Sequence, residues 1–196
     1  MIIGLKGLAG SGKDTVGNYI QSSYGFRKIA FADPLKEIVS IVSNWPIEMV
    51  RGETPTYREL RETEIHPDFG ITCRKMLQCI GTDLFRDKFD PETWIKITRN
   101  RIQDSLNNKE NIVITDVRFE NECEMIQKLG GYIWHIERNS NFLDDSTKNH
   151  VSEKQFETLG EISIKNNGTL QELYLKIDEI LINKSFYTQN YSFDYI

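Results

Sequence analysis

Near the amino terminus, Gly7-Leu8-Ala9-Gly10-Ser11-Gly12-Lys13 spaces two glycines and a lysine as G-x-x-x-x-G-K, followed by Asp14 and Thr15. Glycines let a loop wrap closely around phosphate oxygens, with successive backbone N–H groups turned inward. A helix that starts near Lys13 adds its positive end, and the Lys13 ammonium can reach the β and γ phosphates. The pattern needs a strand before it and a helix after it; the apolar run Ile2–Leu5 and the segment to about Ser22 supply both. The spacing therefore predicts a nucleotide site at Gly10, Ser11, Gly12, Lys13, Asp14 and Thr15. One position departs from the usual pattern, which has Ser or Thr after the lysine to bind Mg²⁺. Asp14 stands there instead, and a carboxylate is itself a good Mg²⁺ ligand. The alternative for Asp14 is a helix-start charge stabilised by the dipole.

A second constellation closes the apolar run Ile112-Val113-Ile114-Thr115-Asp116. An acid at the carboxyl edge of a parallel sheet lies where ligands bind, so Asp116 is expected to orient Mg²⁺ or its water. Arg118 is placed to reach phosphate, and Glu122 to pair with Arg118 at i+4. A GTPase switch is excluded: Asn108-Lys109 and Asn183-Lys184 lack the Asp of a base-reading motif, and no glycine follows Asp116 at the required offset.

The elements that position these groups alternate as in an α/β parallel sheet. Strand-like runs begin at Ile2, Lys28, Ile112, Tyr132 and Ile162, and helical periodicity lies between them. Asp33-Pro34 and Asp90-Pro91 read as capping acids before a first-turn proline. Leu170, Leu173, Ile177, Ile180 and Leu181 give an apolar stripe for a last helix. About 80 residues separate the second strand from the third, so 33–110 must hold a helical insertion, where an acceptor pocket would sit. Within it Met76, Leu77, Ile80 and Leu84 form one stripe, while Arg74, Gln78 and Thr82 share another face. Gly81 in mid-helix costs about 1 kcal/mol relative to Ala, which suggests close approach to the backbone there. The polar stretch 138–160 reads as a lid. The aromatic tail 184–196 is open to fraying, packing on the body or a dimer contact.

Composition bounds the rest. The 196 residues, of which 39% are hydrophobic, suit one domain with a real core, and the net charge of −5 argues against a duplex-binding protein. No run approaches the ~18 apolar residues of a membrane span, and no secretory leader is visible at Met1-Ile2-Ile3. Cys73, Cys79 and Cys123 have no metal-ligand spacing and read as idle thiols of a reducing compartment.

Taken together, the residues resemble the deoxynucleoside monophosphate kinases of tailed phages and large DNA viruses. The resemblance rests on Gly10-Ser11-Gly12-Lys13-Asp14-Thr15, Pro34-Leu35-Lys36, Leu77–Leu84, Trp94, Asp116-Val117-Arg118 with Glu122, Leu129-Gly130-Gly131, His135–Arg138 and His150-Val151-Ser152-Glu153. It implies the P-loop NTPase three-layer α/β fold: a five-stranded parallel sheet (core 1–32, 111–137 and 161–183), the acceptor-binding insertion 33–110 and the lid 138–160. It also implies ATP + dNMP → ADP + dNDP with Mg²⁺, in the cytoplasm, of the host if the chain is viral. ATP would lie on the glycine loop, with Arg138 as a lid cation and Asp14 and Asp116 as metal ligands. Leu35, Lys36, Arg74, Gly81, Thr82, Trp94, Arg118 and Glu122 would surround the acceptor. Lys13, Arg74, Asp116 and Arg118 would carry the chemistry, and Trp94 is expected to stack on the base or wall off the ribose. Neither a nucleic-acid nor a membrane partner is implied. Two other readings stay open from the residues: a kinase of another small acceptor such as dephospho-coenzyme A, and a nucleotide-binding module that transfers nothing.

Overall fold

The structure is a computed structural model that describes residues 1–138 and 162–190, with side chains through Asn183. The expected lid beyond Arg138 and the tail from 191 on lie outside the described residues. Strands β1 (Ile2–Lys6), β2 (Arg27–Ile29), β3 (Ile112–Val117), β4 (Tyr132–Glu137) and β5 (Ile162–Lys165) form a five-stranded parallel sheet in the order β2-β3-β1-β4-β5. Every residue of β1 is buried, as expected of a central parallel strand covered on both faces. Alternation divides the strand between the two faces. Ile3 and Leu5 join Val16 and Ile20 of α1 (Lys13–Tyr24) and Leu173, Ile177 and Leu181 of α8 (Leu170–Asn190) in one core. On the other face Ile126 of α7 (Glu120–Lys128) crowds the Cα of Gly4, where a Cβ would sit 2.7 Å from its Cδ1. Three layers result. The stripe expected for the last helix is realised at Leu173, Ile177 and Leu181, whereas Leu170, the helix's first residue, is 58% exposed.

The chain divides into two compact units, Met1–Lys28 with Lys109 onward, and Ile29–Asn108. The second unit is helical: α2 (Asp33–Ser43), α3 (Ile47–Arg51), α4 (Pro55–Thr63), α5 (Cys73–Gln78), a π-helix (Cys79–Phe89) and α6 (Thr93–Asn107). Its own core holds Val39, Trp45, Met49, Val50, Cys73 and Met76. Thr54 and Thr72 cap α4 and α5, accepting from the amides of Tyr57 and Lys75 at 3.1 and 3.2 Å. The two Asp-Pro pairs behave differently from expectation. Asp33 is already the first residue of α2 and its Oδ2 accepts from Ala30 N at 2.9 Å. Asp90 accepts from Glu92 N at 2.8 Å and α6 starts only at Thr93. Both acids close the turn before a helix rather than cap it.

The π-helix also changes the expected stripe. Its i→i+5 bonding, seen where Asp90 N donates to Phe85 O at 2.8 Å, winds more loosely than an α-helix. Residues four apart therefore drift out of line. Met76 stays buried, Leu77 and Ile80 pack against the unit's core, and Leu84 is turned out, 51% exposed.

Candidate active site

The glycine loop joins β1 to α1. Gly12 is the residue before the helix, with φ +103 and no side-chain cap. Positive φ suits glycine, and a Cβ there would also strike the Asn166 amide. Helix bonding starts with Val16 N donating to Gly12 O at 3.0 Å. The amides of Asp14 and Thr15 meet no acceptor among the described residues. Lys13 Nζ donates to the carbonyls of Gly7 and Leu8, at 2.6 and 2.8 Å, which holds the ammonium over the loop. Ser11 is 3% exposed and its Oγ has no hydrogen-bond partner among the described residues. Gly10 is exposed, with open space where a Cβ would stand. Helix-start amides, an ammonium and an orphaned hydroxyl make a donor set that fits an anionic phosphate chain.

The β3 edge is shaped by a bulge. Gly4 pairs with Ile114 and Lys6 with Val117, so β3 spends one residue more than β1 over that stretch. Bulges re-aim side chains beside active sites, and this one falls at Thr115-Asp116. The strand runs one residue past Asp116, which is half-buried, and Arg118 beyond it is exposed. Glu122 is 4% exposed, and its Oε2 accepts from the backbone N–H of Arg118 at 2.7 Å and of Phe119 at 3.0 Å. The carboxylate thus fixes the backbone that carries Arg118 and satisfies donors at the start of α7. Arg138 follows β4 and is exposed. No group of three or more His, Cys, Asp or Glu side chains among the described residues is arranged to hold a metal.

In the helical unit, Leu35, Gly81 and Trp94 meet. The close approach expected at Gly81 is made by Leu35, whose Cδ2 would lie 2.5 Å from an added Cβ. Trp94 Nε1 donates to Gly81 O at 2.9 Å, and the indole packs against Phe85 with ring centroids 5.2 Å apart. Trp94 is 7% exposed, and its indole is part of the unit's packing. Thr82, the next residue, is half-buried. Lys36 pairs with Asp33 at 3.5 Å. Arg74 is engaged by Glu62, through Nε to both carboxylate oxygens at 3.0 Å and through Nη2 at 2.6 Å. Burial pushes the Cys73 thiol up to about 11, and none of the three cysteines forms a disulfide among the described residues.

Two contributors escape sequence reasoning. Glu62 carries no signal of its own in the charged run Arg58-Glu59-Leu60-Arg61-Glu62, and Asn166 reads only as part of the turn Asn166-Asn167-Gly168. The Asn166 side chain is buried and its Nδ2 donates to Ser11 O at 2.8 Å.

A family model for deoxynucleotide monophosphate kinases matches residues 54–177. The chain belongs to the deoxynucleotide monophosphate kinase family. The match begins downstream of the glycine loop, so loop and family model are separate lines of support. A homologue from Acanthamoeba polyphaga mimivirus is 36% identical over 94% of this chain and 98% of its own. The deoxynucleotide monophosphate kinase of Enterobacteria phage T4 is 23% identical over 92% and 98%. That of Escherichia phage RB69 is 31% identical over 64% and 51%. Among solved structures, a gluconokinase from Sinorhizobium meliloti 1021 superimposes with a TM-score of 0.52, covering 96% of this chain and 97% of the other at 12% identity. A sugar kinase from Janibacter sp. HTCC2649 gives 0.50, over 89% and 90%, also at 12% identity. Identity so low speaks for a shared fold alone. No helix of the described residues is long and apolar enough to cross a membrane.

Proposed function

We propose that this family member, a deoxynucleotide monophosphate kinase, uses ATP as donor through the glycine loop and takes its dNMP acceptor through the helical insertion 33–110. Gly10, Ser11, Gly12, Lys13, Asp14 and Thr15 hold the triphosphate. Leu35, Lys36, Arg74, Gly81 and Thr82 hold the acceptor, with Trp94 acting through Gly81 O. Arg118, on a backbone fixed by Glu122, attends the transferred group, and Arg138 approaches ATP from the start of the lid. The observation that carries this reading is the loop itself: an ammonium and uncapped helix-start amides gathered at one turn, in a chain whose family acts on deoxynucleotides.

The chemistry asks little of a base. A phosphate monoester has a second pKa of about 6, so the attacking oxygen is already largely deprotonated at neutral pH. The barrier is repulsion between two polyanions and the need for in-line alignment. Lys13 and Arg118 offset charge on the transferred phosphoryl, and Arg74 offsets it on the acceptor. Mg²⁺, held by Asp14 and Asp116, would spread charge over the donor phosphates. The residues fit the ion in type, two hard carboxylates beside a phosphate loop. The reaction then belongs in the cytoplasm that supplies DNA precursors.

The test is paired substitution. Lys13→Met and Arg74→Ala should each lower turnover on the order of 10²–10³-fold, the cost of removing one preorganised charge donor. Lys13→Met should weaken ATP, and Arg74→Ala should raise the KM for dNMP. Folded variants that turn over at the parent rate would contradict the reading.

A further inference from the structure

We infer that Asn166 is a positioning residue that aims the Gly12 amide at the donor phosphates; this rests on the glycine loop being the ATP site. Asn166 directly follows β5, and its own N–H donates to Glu137 O at 2.7 Å, carrying the β4–β5 ladder one residue further. The residue is thereby anchored to the sheet, and it is 9% exposed. From that anchor Nδ2 donates to Ser11 O at 2.8 Å, a buried bond across 155 residues of sequence. The same nitrogen lies so close to Gly12 that a Cβ there could not be accommodated.

The consequence follows from peptide geometry. In a trans peptide the carbonyl and the following N–H point in opposite directions. Holding Ser11 C=O toward Asn166 turns the Gly12 N–H away from Asn166, toward the inside of the turn that Lys13 Nζ spans through Gly7 O and Leu8 O. Gly12, at φ +103, is the residue able to accept that orientation. Nothing in Asn166 reaches a reacting atom. It acts through the Ser11–Gly12 peptide, and it makes the sheet rather than the ligand set the loop's shape.

Asn166→Ala removes the donor, and Asn166→Asp keeps the side-chain size but sets a carboxylate against the Ser11 carbonyl. In the full-length enzyme, Asn166→Ala should raise the ADP Kd and the ATP KM about tenfold, leaving the dNMP KM within about twofold of the parent. Asn166→Asp should lose more than Asn166→Ala. A second readout is the Gly12 amide resonance, which should move downfield when ADP is added to the parent and stay in place in Asn166→Asp. An unchanged ADP Kd, or an equal rise in both KM values, overturns the inference; so does an unaltered Gly12 response. Lys13→Met separates the two claims. If it weakens ADP while the Asn166 variants do not, only the role of Asn166 falls; if it too binds ADP as the parent does, the loop reading falls as well.

Discussion

Arg74 and Glu62 face each other edge to edge: the carboxylate takes the Nε and Nη2 side of the guanidinium at 2.6–3.0 Å. The Nη1 end is left outside that pair. Burial pushes the Glu62 carboxyl up, but the hydrogen bonds and charges of Arg74 and Arg61 outweigh it and the net shift is downward. Both side chains are 44% exposed, so the pair adds little stability, at most about 1 kcal/mol. In the proposed function its value is orientation. Glu62→Ala should leave the thermal midpoint nearly unchanged and raise the dNMP KM about fivefold to tenfold, with the ATP KM unaffected. Steady-state kinetics with each substrate varied in turn checks this. A fall in the dNMP KM would mean that Glu62 competes with the acceptor instead of aiming Arg74.

The buried Trp94–Gly81 hydrogen bond predicts a stability effect without a sugar effect. Trp94→Phe removes the Nε1 donor and should cost about 1–2 kcal/mol, read as a lowered midpoint in urea. Because Trp94 is only 7% exposed, the ratio of dGMP to GMP turnover should stay at the parent value. A changed ratio would restore the direct stacking role for the indole.

Glu122 supports Arg118 from beneath through two backbone bonds. Glu122→Ala should cost about 1–2 kcal/mol, as loss of a helix-start acceptor does, and should lower kcat more than it changes either KM. Glu122→Gln keeps an acceptor oxygen and should recover most of both. Equal losses in the two variants would point to the charge rather than the bonds.

Alkaline pH offers a test of how α1 is held to α8. Tyr19 and Tyr24 both donate to Asp178, at 2.8 and 2.6 Å. Burial and then the Asp178 bond push the Tyr24 phenol up to about 12. A pKa raised in the folded state means that the protonated phenol stabilises the fold. That contribution is complete below pH of about 10, the ordinary phenol value, and is lost as pH rises toward 12. Tyr24→Phe should lower the midpoint at neutral pH and flatten the decline over that alkaline range. An unchanged slope would contradict the assignment.

How much of this was legible in the sequence depended on how local the cause was. The glycine loop, its lysine and the strand before it are set by neighbours in sequence, and they could be read there. So could the α8 stripe, apart from Leu170, which lies at the helix start. Leu84 departs from the expected stripe because Cys79–Phe89 winds as a π-helix and not with an α-helical period. Trp94 looked like a ligand-facing ring because its partner, the Gly81 carbonyl, is a backbone atom with no sequence signal. The Asn166 contact could not be read at all: its partner Ser11 follows β1, which is brought near β5 only by the β1–β4 and β4–β5 pairings together. Glu122 was expected beside Arg118, and its carboxylate accepts from the Arg118 backbone N–H.

Phosphate transfer itself tests the account most directly. The full-length protein should be incubated with ATP labelled in its γ-phosphate, Mg²⁺ and, separately, each dNMP or dephospho-coenzyme A. Label appearing in a deoxynucleoside diphosphate, one for each ADP released, and absent from the coenzyme product is the predicted result. ADP release without labelled dNDP, or label passing to dephospho-coenzyme A, would contradict it.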